Sequence, residues 1–186
     1  MGVKLVTTSG GSVEVNPPAT ASNFTQTLVP VTGTLAPLVS GTSVASTSGT
    51  SIDFTSIPSW VKRITVMFNG VSFGTGSNIL VQLGTASGVE ATGYSSTSSS
   101  GTTVANSTTA FLNDSVASTS TAQTGIMIIS TLGSNVWVAS GTSGLGNATA
   151  VNVSAGTKTL AGVLDRVRIT GNGASFDAGS INILYE

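Results

Sequence analysis

The sequence predicts an all-β fold: an antiparallel, jelly-roll-like β-sandwich over residues 40–186, preceded by an extended N-terminal arm over residues 1–39. Three observations carry that expectation. No stretch sustains apolar residues at i, i+3, i+4 and i+7, and Gly, Ser and Thr interrupt every helical candidate. Short runs with period-two alternation recur along the chain, separated by glycine-rich turn sequences. Four of the five prolines fall within the first 39 residues, which show no second layer to pack against.

Within the arm, GGSVEVNPPATASNFTQTLVPVTGTL (residues 10–35) alternates like a strand, yet Pro17, Pro18 and Pro30 interrupt it. Proline belongs on edge strands and extended connectors. The apolar residues of the arm are too few to offset the conformational entropy of ordering its backbone. The arm is therefore expected to order only against a neighbour, with Pro17, Pro18, Phe24 and Leu28 as its attachment residues.

The strands of the sandwich follow in order. In WVKRITVMFNGV (60–71), Ile64, Val66 and Phe68 share one face and Arg63, Thr65 and Asn69 the other. Lys62 and Arg63 straddle the strand and cannot share a face. NILVQLG (78–84) aligns Ile79, Val81 and Leu83. The segment GYSSTSSSGTTVANSTT (93–109) carries no apolar pattern and reads as a long loop or two edge strands. TGIMIISTL (124–132) is apolar on both faces, the pattern of a central buried strand. NVWVASG (135–141) pairs Val136 with Val138 and turns Trp137 the other way. In VLDRVRITG (163–171), Val167 and Ile169 oppose Arg166 and Arg168, and GSINILYE (179–186) aligns Ile181, Ile183 and Tyr185. NGVSFGTGSN and SGTSGLGN are the predicted turns between strands. This recurrence of short strands and turns is the sandwich signature.

Composition narrows the function. Only 7% of residues are charged, against about 25% in an average domain, while nearly a third are Ser or Thr. Disorder does not fit a mean hydropathy of +0.37 with a net charge of −1. A surface so poor in charge is expected to be covered in part by copies of the chain or by a partner. Six Lys and Arg give no basic face for nucleic acid. The densest apolar run, GIMII (125–129), is far short of a membrane span, so no membrane insertion is expected. The start, MGVKLVTTSGG, shows no signal-peptide apolar region.

Chemistry is scarce. With no His and no Cys, neither a Ser-His-Asp triad nor a thiolate nucleophile or metal site can be assembled. No phosphate-cradling glycine motif is complete, and GTG at 74–76 reads as a turn. Glycan cleavage would need two facing carboxylates. None of Glu14, Asp53, Glu90, Asp114, Asp165, Asp177 and Glu186 has a local partner acid. Asp165 reads as an ion pair with the neighbouring arginines, and Asp177 as a turn acid. The expectation is no catalytic residue, no cofactor and no metal. Trp137 and Tyr94 are the candidate contacts to a glycan or to a subunit interface. The competing reading has Trp137 filling the second face of the sandwich.

Three segments carry a resemblance. The stretch from Gly10 to Leu35 resembles a segment recurring in tail-fibre and related virion proteins of tailed bacteriophages, where Gly-Gly leads to a strand, Pro-Pro, Asn-Phe-Thr and a Thr-Gly-Thr-Leu connector. IDFTSIPSWVKRITVMFNGVS (52–72) is similar to the opening of a β-sandwich module in such proteins, and FDAGSINILYE (176–186) to its final strand. The resemblance implies a non-enzymatic structural protein on the surface of a phage virion, made in the host cytoplasm. It implies a short fibre or appendage displaying the sandwich toward the host. It also implies a homotrimer contacting other virion proteins and a host surface glycan. The chain has no long repetitive shaft, heptad stem or collagen-like run, so a capsid decoration or head-fibre protein stands beside the tail fibre. A carbohydrate-binding adhesin module is the second class of reading.

Overall fold

The computed structural model describes residues 3–6, 12–15, 37–115, 122–146 and 150–186. The chain divides by contacts into two units, Met1–Leu35 and Ala36–Glu186. In the first, β1 (Val3–Val6) and β2 (Ser12–Val15) pair antiparallel, with Val3 opposite Val15 and Val6 opposite Ser12. Pro17, Pro18, Phe24 and Leu28 lie outside the described residues.

The second unit is an all-β sandwich of two antiparallel sheets. Its strands are β3 (Val39–Ser40), β4 (Val44–Ala45), β5 (Ser51–Phe54), β6 (Arg63–Phe73), β7 (Leu80–Thr85), β8 (Gly88–Val89) and β9 (Tyr94–Ser100). They continue with β10 (Thr103–Ser107), β11 (Phe111–Leu112), β12 (Gln123–Gly133), β13 (Val136–Leu145), β14 (Val151–Thr159), β15 (Arg166–Thr170) and β16 (Phe176–Tyr185). The larger sheet runs β10-β9-β14-β13-β12-β6-β16-β3, with β4 also on β16. The smaller runs β11-β7-β15-β5, with β8 on β7.

Alternation sets which side chains meet. Ile64, Val66 and Phe68 of β6, Met127 and Ile129 of β12, and Ile181 and Ile183 of β16 face inward. They pack against Val81 and Leu83 of β7, Val167 and Ile169 of β15, and Ile52 and Phe54 of β5. At about 1.5–3 kcal/mol per fully buried side chain, this apolar block is the main stabilising term.

Several segments differ from the sequence expectation. The 93–109 stretch forms two strands; β10 is an edge, but β9 is paired on both sides. Its inward residues after Tyr94 are serines, so burial follows the alternation while hydropathy does not. NGVSF is not a turn: β6 continues through it by a bulge at Gly70, whose φ of 63° is left-handed and whose amide donates to Thr124 Oγ1 at 3.0 Å. SGTSGL likewise belongs to β13, where ladders on both sides offset the entropy cost of its glycines. Asp177 lies in β16 and accepts the Ser72 hydroxyl. Strand β12 is central, as its apolar run implies, but only its inner face is buried; Ile126 and Ile128 are 44% and 38% exposed.

Candidate functional site

The interior of the sandwich is graded. One cross-strand row of the larger sheet reads Ser100, Asn152, Ser143, Gly125, Phe68, Ile181. The next reads Ser98, Ser154, Gly141, Met127, Val66, Ile183. The inner face therefore passes from hydroxyls and amides on β9 and β14 to large hydrocarbons on β6 and β16. Alternation alone puts the serines of YSSTSSS inside, and such a wall must be met by polar groups.

Residues Asn113, Asp114 and Ser115, following β11, supply polar groups to this interior. The Asp114 side chain has no exposure. The Ile79 amide donates to its Oδ1 at 2.9 Å, and Gln123 Nε2 donates to Oδ2. Gln123 Oε1 in turn accepts from Asn113 Nδ2 at 3.0 Å, which also donates to Ser143 Oγ at 3.1 Å. Asn152 Nδ2 reaches the same hydroxyl at 3.4 Å. Among the described residues no basic side chain bonds to Asp114. Burial pushes its carboxyl up to about 7, against the downward pull of the Gln123 and Ile79 hydrogen bonds. This is the one strongly perturbed acid near neutrality among the described residues, and it is buried. Its geometry fastens the 111–115 segment to the sheet.

The other acids of the sandwich are already engaged. Lys158, itself buried, holds Glu90 at 2.6 Å and lies 5.4 Å from the centre of the Tyr94 ring. Burial works to raise the Glu90 carboxyl, but the Lys158 hydrogen bond and charge and the Ala161 amide together hold it below its ordinary value. Arg168 grips Asp53 through two bonds of 2.6 and 2.7 Å across β15 and β5. Asp165 pairs with Arg166 at 2.8 Å, as its position beside that residue suggests, and Arg63 pairs with Glu186. No group of three or more Asp or Glu side chains suited to a metal ion occurs among the described residues.

Both aromatic candidates lie inside. Tyr94 is 4% exposed; its hydroxyl accepts from the Leu83 amide at 2.7 Å and donates to the Glu90 carbonyl at 3.0 Å, and burial raises its pKa. Its ring meets Phe111 edge-on at 5.1 Å. Trp137, also 4% exposed, faces inward on β13 with its Nε1 unpartnered. It borders a cleft at one end of the sandwich, lined also by Pro58, Lys62, Thr131, Ser134 and Asn135. The exposed tryptophan is Trp60, at 40%, its ring 6.0 Å from that of Tyr185. Alternation does not single out Trp60, which precedes the strand; its place beside Pro58 and Ser59, in a connector, is the signal the sequence offers. Asp114 and the buried amides had none, since FLNDS and its serine neighbours show no hydropathic period.

Compared with known proteins, the chain matches no family model, no curated protein and no solved structure.

Proposed function

We propose that this chain is a non-enzymatic structural protein of a tailed-phage virion, a short self-assembling appendage that displays its β-sandwich at the particle surface. The observation that carries the reading joins sequence to geometry. The two module segments that resemble phage virion proteins, 52–72 and 176–186, supply β6 and β16, which pair along most of their length from Ile64 opposite Tyr185 to Phe73 opposite Phe176. They form one long ladder, with two register shifts, toward one side of the larger sheet, as the opening and closing strands of a single module would. Low charge, abundant surface hydroxyls and four acids taken up in ion pairs favour a scaffold over a catalyst.

Gold-labelled antibody against residues 40–186, applied to intact particles of the source phage, tests the proposal. Label at the tail assigns a fibre. Label spread over the head assigns a head-fibre or decoration protein. Unlabelled particles overturn the virion reading.

One observation favours a second reading, glycan adhesion: the end cleft beside Trp137, with Lys62, Ser134 and Asn135 around it and Trp60 exposed in the same connector. Hydroxyl-binding side chains beside an aromatic ring suit a sugar. Binding of the protein to host polysaccharide, lost in Trp60→Ala and Asn135→Ala, supports it; unchanged binding removes it.

A further inference from the structure

The outer face of the larger sheet is the least expected surface of the molecule. One row across it reads Asn182, Met67, Ile126, Thr142, Val153, Ser99. The next reads Leu184, Thr65, Ile128, Ser140, Ala155, Thr97. Val151 and Val153 are 58% and 55% exposed. No charged side chain stands in either row. Charges appear only at the ends of the β6–β16 ladder, as the Arg63–Glu186 pair and Asp177. The outer face of the smaller sheet is the opposite, carrying Asp53, Arg166 and Arg168.

We infer that this charge-free face packs against a second copy of the chain, which deepens the self-assembling reading above. Two arguments select that occupant. The first is area. Seven strands from β10 to β16 at about 4.8 Å spacing, averaging about nine residues at about 3.3 Å, span roughly 850 Å². A stable interface takes about 800 Å² from each partner. The second is charge. A partner bringing an ion to this face would bury it against side chains unable to pair with it, at a cost of several kcal/mol. An uncharged face is matched by another uncharged face, and every copy of the chain brings one. Branched Ile and Val side chains stand here among Thr, Ser and Ala, so large and small side chains neighbour one another on the face.

The chain has no cysteine, so single cysteines report contacts cleanly. Thr142→Cys places a thiol in the middle of the face, and Ser51→Cys places one on the outer face of the smaller sheet as control. Oxidation of the full-length protein should convert Thr142→Cys to disulfide dimers while Ser51→Cys stays uncrosslinked. In sedimentation, Ile126→Lys should weaken self-association at least about 100-fold, since it buries an unpaired ammonium. Its far-UV circular dichroism should remain that of the parent. Ser51→Lys should change nothing. A wild-type chain that stays monomeric at millimolar concentration overturns the inference. So does an oligomer that neither crosslinks through Thr142→Cys nor, if Ile126→Lys folds, responds to that change. Should Ile126→Lys fail to fold, the crosslink alone decides. Unlabelled phage particles would sink the virion reading and leave this face untouched. Labelled particles whose protein shows neither the crosslink nor a response to a folded Ile126→Lys would do the reverse.

Discussion

Asp114 is where a single side chain most affects the behaviour of the molecule. Its folded-state pKa, about 7, stands above the ordinary value of 3.8. A raised pKa contributes stability that is full below the unfolded value and lost as pH rises through the folded one. The ionised carboxylate thus costs up to about 4 kcal/mol above pH 7, at about 1.4 kcal/mol per pH unit across the gap. Wild-type stability should fall between pH 4 and 7, and Asp114→Asn should flatten that fall and be the more stable form at pH 8. The gain should be smaller than the full cost, because asparagine keeps only one of the two oxygens that accept from Ile79 and Gln123. Urea unfolding across that pH range checks it. Two ion pairs offer a contrast. Glu90→Gln strands the buried Lys158 ammonium and should cost about 3 kcal/mol. Asp53→Asn, on the partly exposed pair with Arg168, should cost about 1 kcal/mol or less.

Among the elements, β12 and β13 show how backbone approach constrains glycine. A Cβ on Gly125 would overlap the carbonyl oxygen of Thr142 and the Cα of Ser143, both backbone atoms of the neighbouring strand. At Gly144, on the partner strand, the nearest atom lies 3.9 Å away. Gly125→Ala should therefore destabilise by roughly 1–3 kcal/mol, the usual cost of overpacking. Gly144→Ala should be neutral or slightly stabilising. Thermal unfolding of the pair of variants checks both. The strands legible in the sequence were those whose inward positions are hydrocarbon: Ile64, Val66 and Phe68, or Val167 and Ile169. Strands β9 and β14 and the second half of β13 were harder to see, because their inward positions include Ser98, Ser143, Asn152 and Ser154, residues that hydropathy sorts as loop. The one-sidedness of β12 was hidden for the converse reason: Ile126 and Ile128 are apolar yet point outward.

At the scale of the whole molecule, the pairings that close the two sheets of the sandwich are non-local. Asp53 pairs across to Arg168, Phe68 to Ile181 and Val39 to Tyr185. Sandwiches of this kind fold in about milliseconds to seconds, because distant segments must meet before any ladder forms. Refolding followed by the fluorescence of buried Trp137 should fall in that range, and microsecond refolding would contradict the topology. The sequence argument for residues 1–39 adds an expectation of its own: protease should cut there in a dilute monomer and be blocked in the assembly.

The position of β3 has a mechanical consequence. Val39 stands opposite Tyr185, so the chain enters and leaves the sandwich at one corner, about 5 Å apart. A pull between those points first peels the two-residue ladder of β3, and then loads the end of the β6–β16 ladder, where Tyr185 also faces Ile64. Spliced in at that corner, residues 37–186 would ask a recipient protein to part its own chain by no more than a strand spacing.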